Sequence, residues 1–552
     1  MRLVLVALAA LLLSAAPAHA QSFAQLPGEA GCILQTGIDL DEEDEDGDAP
    51  TGCGRAGGLI SADGVILSPD GKHAYVVAGG GAVSGSNGVA LFGRDGSSGT
   101  LAASGCVTAT GGDGRVGSDG LCQRANALRG ASALAFSPDG RFAYVAATGS
   151  NAVSWFERNA DTGALTQRGC VKHVFGVGEA CSAGYALDGA AGVAVSPDGK
   201  HVYVAAERSN AVAVFTRDET TGALTEVGCI SDTGSDGACS DGTALAGARE
   251  VLMAADGADV YVTSSLSASV TAFRRDPITG KLTTNGCLLA DAPAGGPCTS
   301  VASLAGAAGG AITADGRALY IAGEEQDTLT ALTRDPGTGK LSAAGCWQSR
   351  EPREDEVVDP DDYYGEEENE AIPGCERVLG LGSPADIAVA ADGRSVFAAG
   401  DYSLAAFTRD PASGALAALG CVQSYAYLKA CSVARGLGSS TGIAASSDGR
   451  NLYVTNASNN SVSVFAASVA IASSSARVSR AGTIRVRLAC PSGRACAGDV
   501  RVAGARAARY RLASGKARAI TLRVARGAAR RHVGVVVARD GRTEVRRRVT
   551  LR

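Results

Sequence analysis

The stretch SPDGKHVYVAAERSNAVAVF, residues 196–215, decides the fold of this chain. Pro197-Asp198-Gly199-Lys200 reads as a turn, His201 to Ala206 as a strand, and Ala211 to Phe215 as the next strand. β-Branched and aromatic residues fill both strands, and an Asp-Gly step makes the reversal, as short strands between tight turns require. Upstream, Gly192 to Ser196 (GVAVS) gives an inner strand. Downstream, Thr221-Gly222 turns the chain into a fourth strand, Ala223 to Ile230 (ALTEVGCI). No sustained apolar period of 3.6 residues runs through the repeats, which excludes strand–helix units.

Working outward, the unit recurs at Asp70-Gly71, Asp139-Gly140, Asp198-Gly199, Asp256-Gly257, Asp315-Gly316, Asp392-Gly393 and Asp448-Gly449. Four of the intervals are 56 to 59 residues, and the longer ones carry loop insertions. Four short strands at this period predict an all-β, seven-bladed β-propeller. The last copy, Gly442 to Phe465, has three strands and no fourth, whereas Leu26 to Ile33 (LPGEAGCI) aligns with fourth strands such as Leu165 to Val171. The N-terminal strand is therefore expected to complete the seventh blade and close the ring.

Residues 1–20 read as a secretory signal peptide: Arg2, an apolar run from Leu3 to Leu13, and Ala18-His19-Ala20 as the cleavage site. The run is too short to span a bilayer, so no transmembrane anchoring is expected and the protein reads as secreted, extracellular or periplasmic. Sixteen cysteines in an exported chain imply disulfides. Their order proposes Cys32–Cys53, Cys106–Cys122, Cys170–Cys181, Cys229–Cys239, Cys287–Cys298, Cys346–Cys375, Cys421–Cys431 and Cys490–Cys496. No C-x-x-C pair occurs and only five His exist, which argues against a zinc site.

Charge divides the chain. From Ala467 onward there are 20 Arg and one Lys against Asp499, Asp540 and Glu544; the preceding residues carry 54 Asp and Glu against 29 Lys and Arg. Two domains follow: a propeller over 21–466 and a basic, small immunoglobulin-like β-sandwich over 467–552. Alternating apolar and basic segments such as Thr483 to Leu488 support the sandwich. Its expected partner is an anionic cell-envelope polymer; nucleic acid fits neither the compartment nor the lack of an aromatic platform. Acidic insertions at 39–50 and 351–374 read as solvated loops. The first (DLDEEDEDGD, 39–48) resembles a calcium loop but has Glu42 and Cys53 where such a loop needs Asp and Glu, so calcium is the one ion the tract suggests and no resident cofactor is expected.

The phrases at 196–215 and LYVTNASNNSVSVF (452–465) resemble the YVTN-type and lactonase propellers, which include 6-phosphogluconolactonase-like proteins, over residues 26–466. The resemblance implies the fold and, less directly, lactone hydrolysis. That family's repeats often read P-R-H before the inner strand and H-P-D-G after it. Here only Ala248-Arg249-Glu250 aligns with P-R-H, with Glu250 in place of His, and each H-P-D-G begins with Ser, Ala or Thr.

Candidate site residues emerge from comparing the repeats. Inner strands open mostly on small pairs: Ser132-Ala133, Ala191-Gly192, Gly309-Gly310 and Thr441-Gly442. Asp63, Arg249-Glu250 and Asp386 break this rule and should converge at the mouth of the central channel, joined from neighbouring loops by Glu207, Glu324 and Asp401. Such charges need partners there, whether an Arg249–carboxylate plug or a ligand. The favoured reading is a non-catalytic binder or scaffold at the cell envelope. The alternative is a lactonase-like hydrolase, with Arg249 polarising a carbonyl and Glu250 or Asp386 as base. Because Arg249 should hold a neighbouring carboxylate's pKa down, no appreciable lactone hydrolysis is predicted.

Overall fold

Seven sheets follow one another in chain order in the computed structural model. It describes residues 22–551 apart from 37–51, 81–84, 175–179, 233, 235–237, 353–355, 358–368, 426, 472, 474, 491–494, 504, 514–515, 525–532 and 541–542. The signal-peptide reading and the acidic tract at 39–50 fall outside the described residues, as does much of the tract at 351–374. In blade three, Ala190–Val195, His201–Ala206, Ala211–Arg217 and Leu224–Ser231 pair antiparallel from the channel outward. The second strand of every blade is buried along its whole length. Covered by sheet on both faces, these strands read as continuous apolar runs rather than as alternating ones.

Six blades have five strands, one more than the sequence predicts, and the seventh, which takes in both N-terminal segments, has six. The extra strand is short, as in Ser240–Asp241, and lies parallel to the fourth, with Ile230 opposite Ser240. All eight disulfides join the pairs read from the sequence. Cys287 stands directly opposite Cys298 in register, so the bridge clips the returning chain onto the outer edge of its blade. In the propeller the cross-links thus staple the perimeter rather than the channel. Under the chain-entropy model, loops of this length gain roughly 3 kcal/mol each.

The N-terminal segment closes blade seven as two strands with a break between them rather than as one. Ser22–Gln25 and Cys32–Gln35 both pair with Ser461–Ser468, separated by a 3₁₀ turn at Gly28–Gly31. Pro27 lacks an amide hydrogen for the ladder, which explains the interruption.

Neighbouring blades are locked by a clamp repeated at six of the seven junctions. Tyr203 of blade three donates its hydroxyl to the Gly280 carbonyl of blade four at 2.8 Å and accepts from Arg275 Nε at 2.9 Å. Arg275 also holds its own Gly257 carbonyl at 3.0 Å and Asp198 of blade three at 2.7 Å. Tyr75 with Arg158, Tyr144 with Arg217, Tyr261 with Arg334, Tyr320 with Arg409 and Tyr453 with Arg94 repeat the Tyr–Arg contact. The six tyrosines are fully buried. His73 and His201 belong to two of these clamps, each against an arginine Nη2 at 2.8 and 2.7 Å.

The junction of blades six and seven departs from the pattern. Phe397 replaces the Tyr and Ala467 stands at the Arg position; Phe23 meets Phe397 edge-on at 5.1 Å. Here the basic tail docks. Its two sheets comprise Ala470–Ile471, Thr483–Ala489 and Ala517–Arg523 on one side, and Ser475–Ala476, Thr543–Leu551, Val533–Asp540, Cys496–Val502 and Ala508–Leu512 on the other. Val486, Leu488, Val500, Val536 and Val549 fill the core between them. Alternation along Ser22–Gln25 sends Phe23 into the propeller and Ala24 into the sandwich core, so one strand serves both.

Candidate functional site

Inner strands approach so closely around the channel axis that side chains compete for room. Gly192 faces Arg249 and Glu250 of the next blade, Gly309 faces Asp386, and Gly442 faces Asp63. A Cβ on Gly309 would lie 2.5 Å from the Ala385 carbonyl oxygen and 2.7 Å from Asp386 Oδ1. Each charged opening is thus accommodated by a glycine on the preceding blade.

At this level lies a cavity of about 290 Å³ whose lining includes Asp63, Ser132, Glu207, Arg249, Glu250 and Asp386. Five of the seven sequence candidates therefore meet. Glu324, on the 3₁₀ turn Glu324–Gln326, joins them by accepting from Arg249 Nη1 at 2.8 Å. That ion pair leaves the cavity open, and its side chains stay 37% and 30% exposed. Asp401 does not join. It sits exposed in the two-residue turn between Ser395–Gly400 and Ser403–Arg409, a connection too short to bring it to the cavity.

Glu250 and Asp386 reach the cavity from blades four and six, on either side of Gly309-Gly310 in blade five. Glu250 accepts from Gly310 N at 2.6 Å, and Asp386 from Ile387 N at 2.7 Å and Ile443 N at 3.0 Å. Both carboxylates line the cavity and are half-buried. Loss of hydration pushes Asp386 up to about 7, outweighing its two amide bonds and the pull of Arg249. Glu250 rises well above the usual carboxylate range, through burial first and the nearby Asp386 charge second. Burial also lifts Asp63 to about 6, against the attraction of Arg249 and with help from Glu207 and Glu324. Arg249 pulls these groups down as expected, but one partly exposed guanidinium, already paired with Glu324, is outweighed by desolvation.

Ser132 and Thr441 also line the cavity, and the sequence comparison passed over them. Their hydroxyls donate to Ala191 O and Ala62 O at 2.8 Å, tying inner strands of adjacent blades. A hydroxyl in an otherwise Ala/Gly row is the signal that could have marked them. Among the described residues, no three His, Cys, Asp or Glu side chains are grouped as a metal ion would need.

Fold and site together define a seven-bladed β-propeller that resembles the lactonase family. The family model described as "Lactonase, 7-bladed beta-propeller" matches residues 122–297, which include Arg249 and Glu250. No curated protein sequence matches the chain. Among solved structures, the chain is similar to the periplasmic gluconolactonase PpgL of Pseudomonas aeruginosa, at 21% identity and a TM-score of 0.43, covering 67% of this chain and 87% of that one. A Bacteroides uniformis protein provisionally assigned as a 6-phosphogluconolactonase gives 18% and 0.45, covering 64% and 82%. Hydrazine synthase of Kuenenia stuttgartiensis gives 17% and 0.43, covering 74% and 96%.

Proposed function

We propose that this chain is an exported lactonase-type hydrolase that opens a small, neutral cyclic ester at the channel mouth. The observation that carries the reading is the carboxylate pair Glu250 and Asp386, held near neutral pKa or above and facing a cavity beside Arg249. A general base works best when its pKa lies near the working pH. In the reaction, Asp386 takes a proton from water as its oxygen bonds to the acyl carbon. Arg249 stabilises the negative carbonyl oxygen. When the ring C–O bond breaks, protonated Glu250 gives its proton to the leaving oxygen. One water is consumed, one hydroxy acid forms, and transfer of a proton from Asp386 to Glu250 restores the pair.

At about 290 Å³ the cavity matches the lower end of ligand pockets, about 300 Å³, which suits a single sugar-sized ring. Asp63, Glu207 and Glu324 surround the lone guanidinium with negative charge, which favours a neutral ester over a phosphorylated one. Eight disulfides and the signal-like first twenty residues support work in an oxidising compartment. The test is acid release from glucono-δ-lactone by the purified protein, against the Glu250→Gln variant. Turnover above background that Glu250→Gln abolishes supports the enzyme. Binding of the lactone or its hydroxy acid without turnover would return the channel mouth to a non-catalytic receptor.

A further inference from the structure

The tail holds a second concavity. A groove of about 870 Å³ separates the edge strand Ala508–Leu512 of one sheet from Ala517–Arg523 of the other, lined by Arg509, Arg511, Arg518, Asp499, Tyr510 and Thr521 among others. Arg509 and Arg511 are exposed while Tyr510 and Leu512 are buried, so strand alternation puts both guanidinium groups on one side, about 7 Å apart along the chain. Arg518 lines the groove from the opposite strand. None of the three arginines forms an ion pair with a described residue, although Asp499 lies opposite Arg509 in register. Arg485, Arg487 and Arg523, all exposed, extend the positive charge across the neighbouring sheet.

We propose that this groove binds a linear anionic polysaccharide bearing carboxylate or sulfate groups, held by Arg509, Arg511 and Arg518. Guanidinium groups grip such planar or tripodal anions through paired N–H donors, and three unpaired ones along a cleft suit a repeating charge. A membrane surface fits less well: the large hydrophobic side chains exposed among the described residues all lie between Val116 and Val433, and none in the tail. Nucleic acid lacks a stacking platform, because Tyr510 is buried and its hydroxyl is committed to the Arg539 carbonyl at 2.8 Å. The ligand would tether the propeller to an envelope or matrix glycan while leaving the channel mouth free.

The experiment measures binding of fluorescein-labelled heparin to the full-length protein by anisotropy, with unlabelled polygalacturonate as competitor. It compares the triple variant Arg509→Gln/Arg511→Gln/Arg518→Gln with a charge-matched control, Arg477→Gln/Arg480→Gln/Arg506→Gln, whose exposed residues lie outside the groove. The groove variant should bind about tenfold more weakly or worse, and the control within about twofold of wild type, with unchanged melting temperatures. Equal weakening of both variants would reduce the effect to diffuse charge and overturn the site. So would absence of heparin and polygalacturonate binding, capture of phosphatidylglycerol vesicles without heparin, or tighter binding of duplex DNA.

Discussion

Replacing Tyr203 by Phe removes one oxygen from the junction of blades three and four. That oxygen accepts from Arg275 Nε at 2.9 Å and donates to the Gly280 carbonyl at 2.8 Å, both in the buried interior. Phe fits the same space, so no cavity term enters, and the cost is that of stranding two polar groups. A buried unsatisfied group costs about 1–3 kcal/mol, so stranding two should cost the variant about 2–6 kcal/mol if Arg275 keeps its other contacts. Those contacts remain, since Arg275 also reaches Asp198, Gly257 O and His201. The double variant Tyr203→Phe/Arg275→Met also unpairs Asp198 and Gly257 O, so it should be less stable than Tyr203→Phe, yet by less than the sum of the two single losses, because the shared Tyr–Arg bond is lost only once. Junction six–seven is the natural precedent, with Phe397 and Ala467 in the two places. Guanidinium unfolding with disulfides intact, followed by tyrosine fluorescence and circular dichroism, gives the three stabilities. A single-variant loss below about 0.5 kcal/mol, or a double variant worse than the sum of the two single variants, would refute the clamp as a source of stability.

Asp70 and Asp198 are each held down to about 2, though burial opposes this, by bonds from Ser68 and Arg158 or from Ser196 and Arg275. Their folded pKa values lie below the unfolded one, so their contribution is present above about pH 4 and should fade between about pH 4 and 2 in acid melts; Asp198→Asn should flatten that decline. Asp386 behaves oppositely: its folded pKa is raised, so the folded state loses stability as pH climbs from about 4 to 7. Asp386→Asn should therefore raise the melting temperature at about pH 8 and leave it unchanged at about pH 4. Gly309→Ala should lower both stability and turnover, since its methyl would collide with the Ala385 carbonyl and the Asp386 carboxylate; wild-type turnover in that variant would contradict the packing. Deleting residues 21–36 strips the outer strand from blade seven and should drop the melting temperature steeply, whereas a loss of a degree or two would argue against closure.

The repeat, the cysteine order and the convergence of Asp63, Glu207, Arg249, Glu250 and Asp386 were legible because each is a departure from, or a copy of, a local pattern. Asp401 misled because a loop residue's reach depends on turn length, and a two-residue turn keeps it at the surface. The fifth strands escaped notice because two or three residues clipped beside a disulfide carry no periodic signal. The Tyr–Arg clamps are present in the sequence as a Tyr in six of the seven second strands and an Arg ending six of the seven third strands, but the two partners belong to different blades, some 70 to 90 positions apart in five of the six cases. Their joint absence at Phe397 and Ala467 marks where the tail docks. The carboxylate pKa values are not legible in the sequence for a related reason: proximity to Arg249 can be read from adjacency in sequence, whereas desolvation depends on the whole ring closing around the channel.

The most direct test of the channel-mouth reading is the pH dependence of kcat/KM for glucono-δ-lactone in the wild type and in Asp386→Asn. Wild-type activity should rise through an inflection near 7, the value to which burial lifts Asp386. Asp386→Asn should lose both the inflection and about 10²–10⁴-fold in rate, the usual worth of a general base. A superimposable profile in the two proteins would contradict the assignment of Asp386 and, with it, the hydrolase.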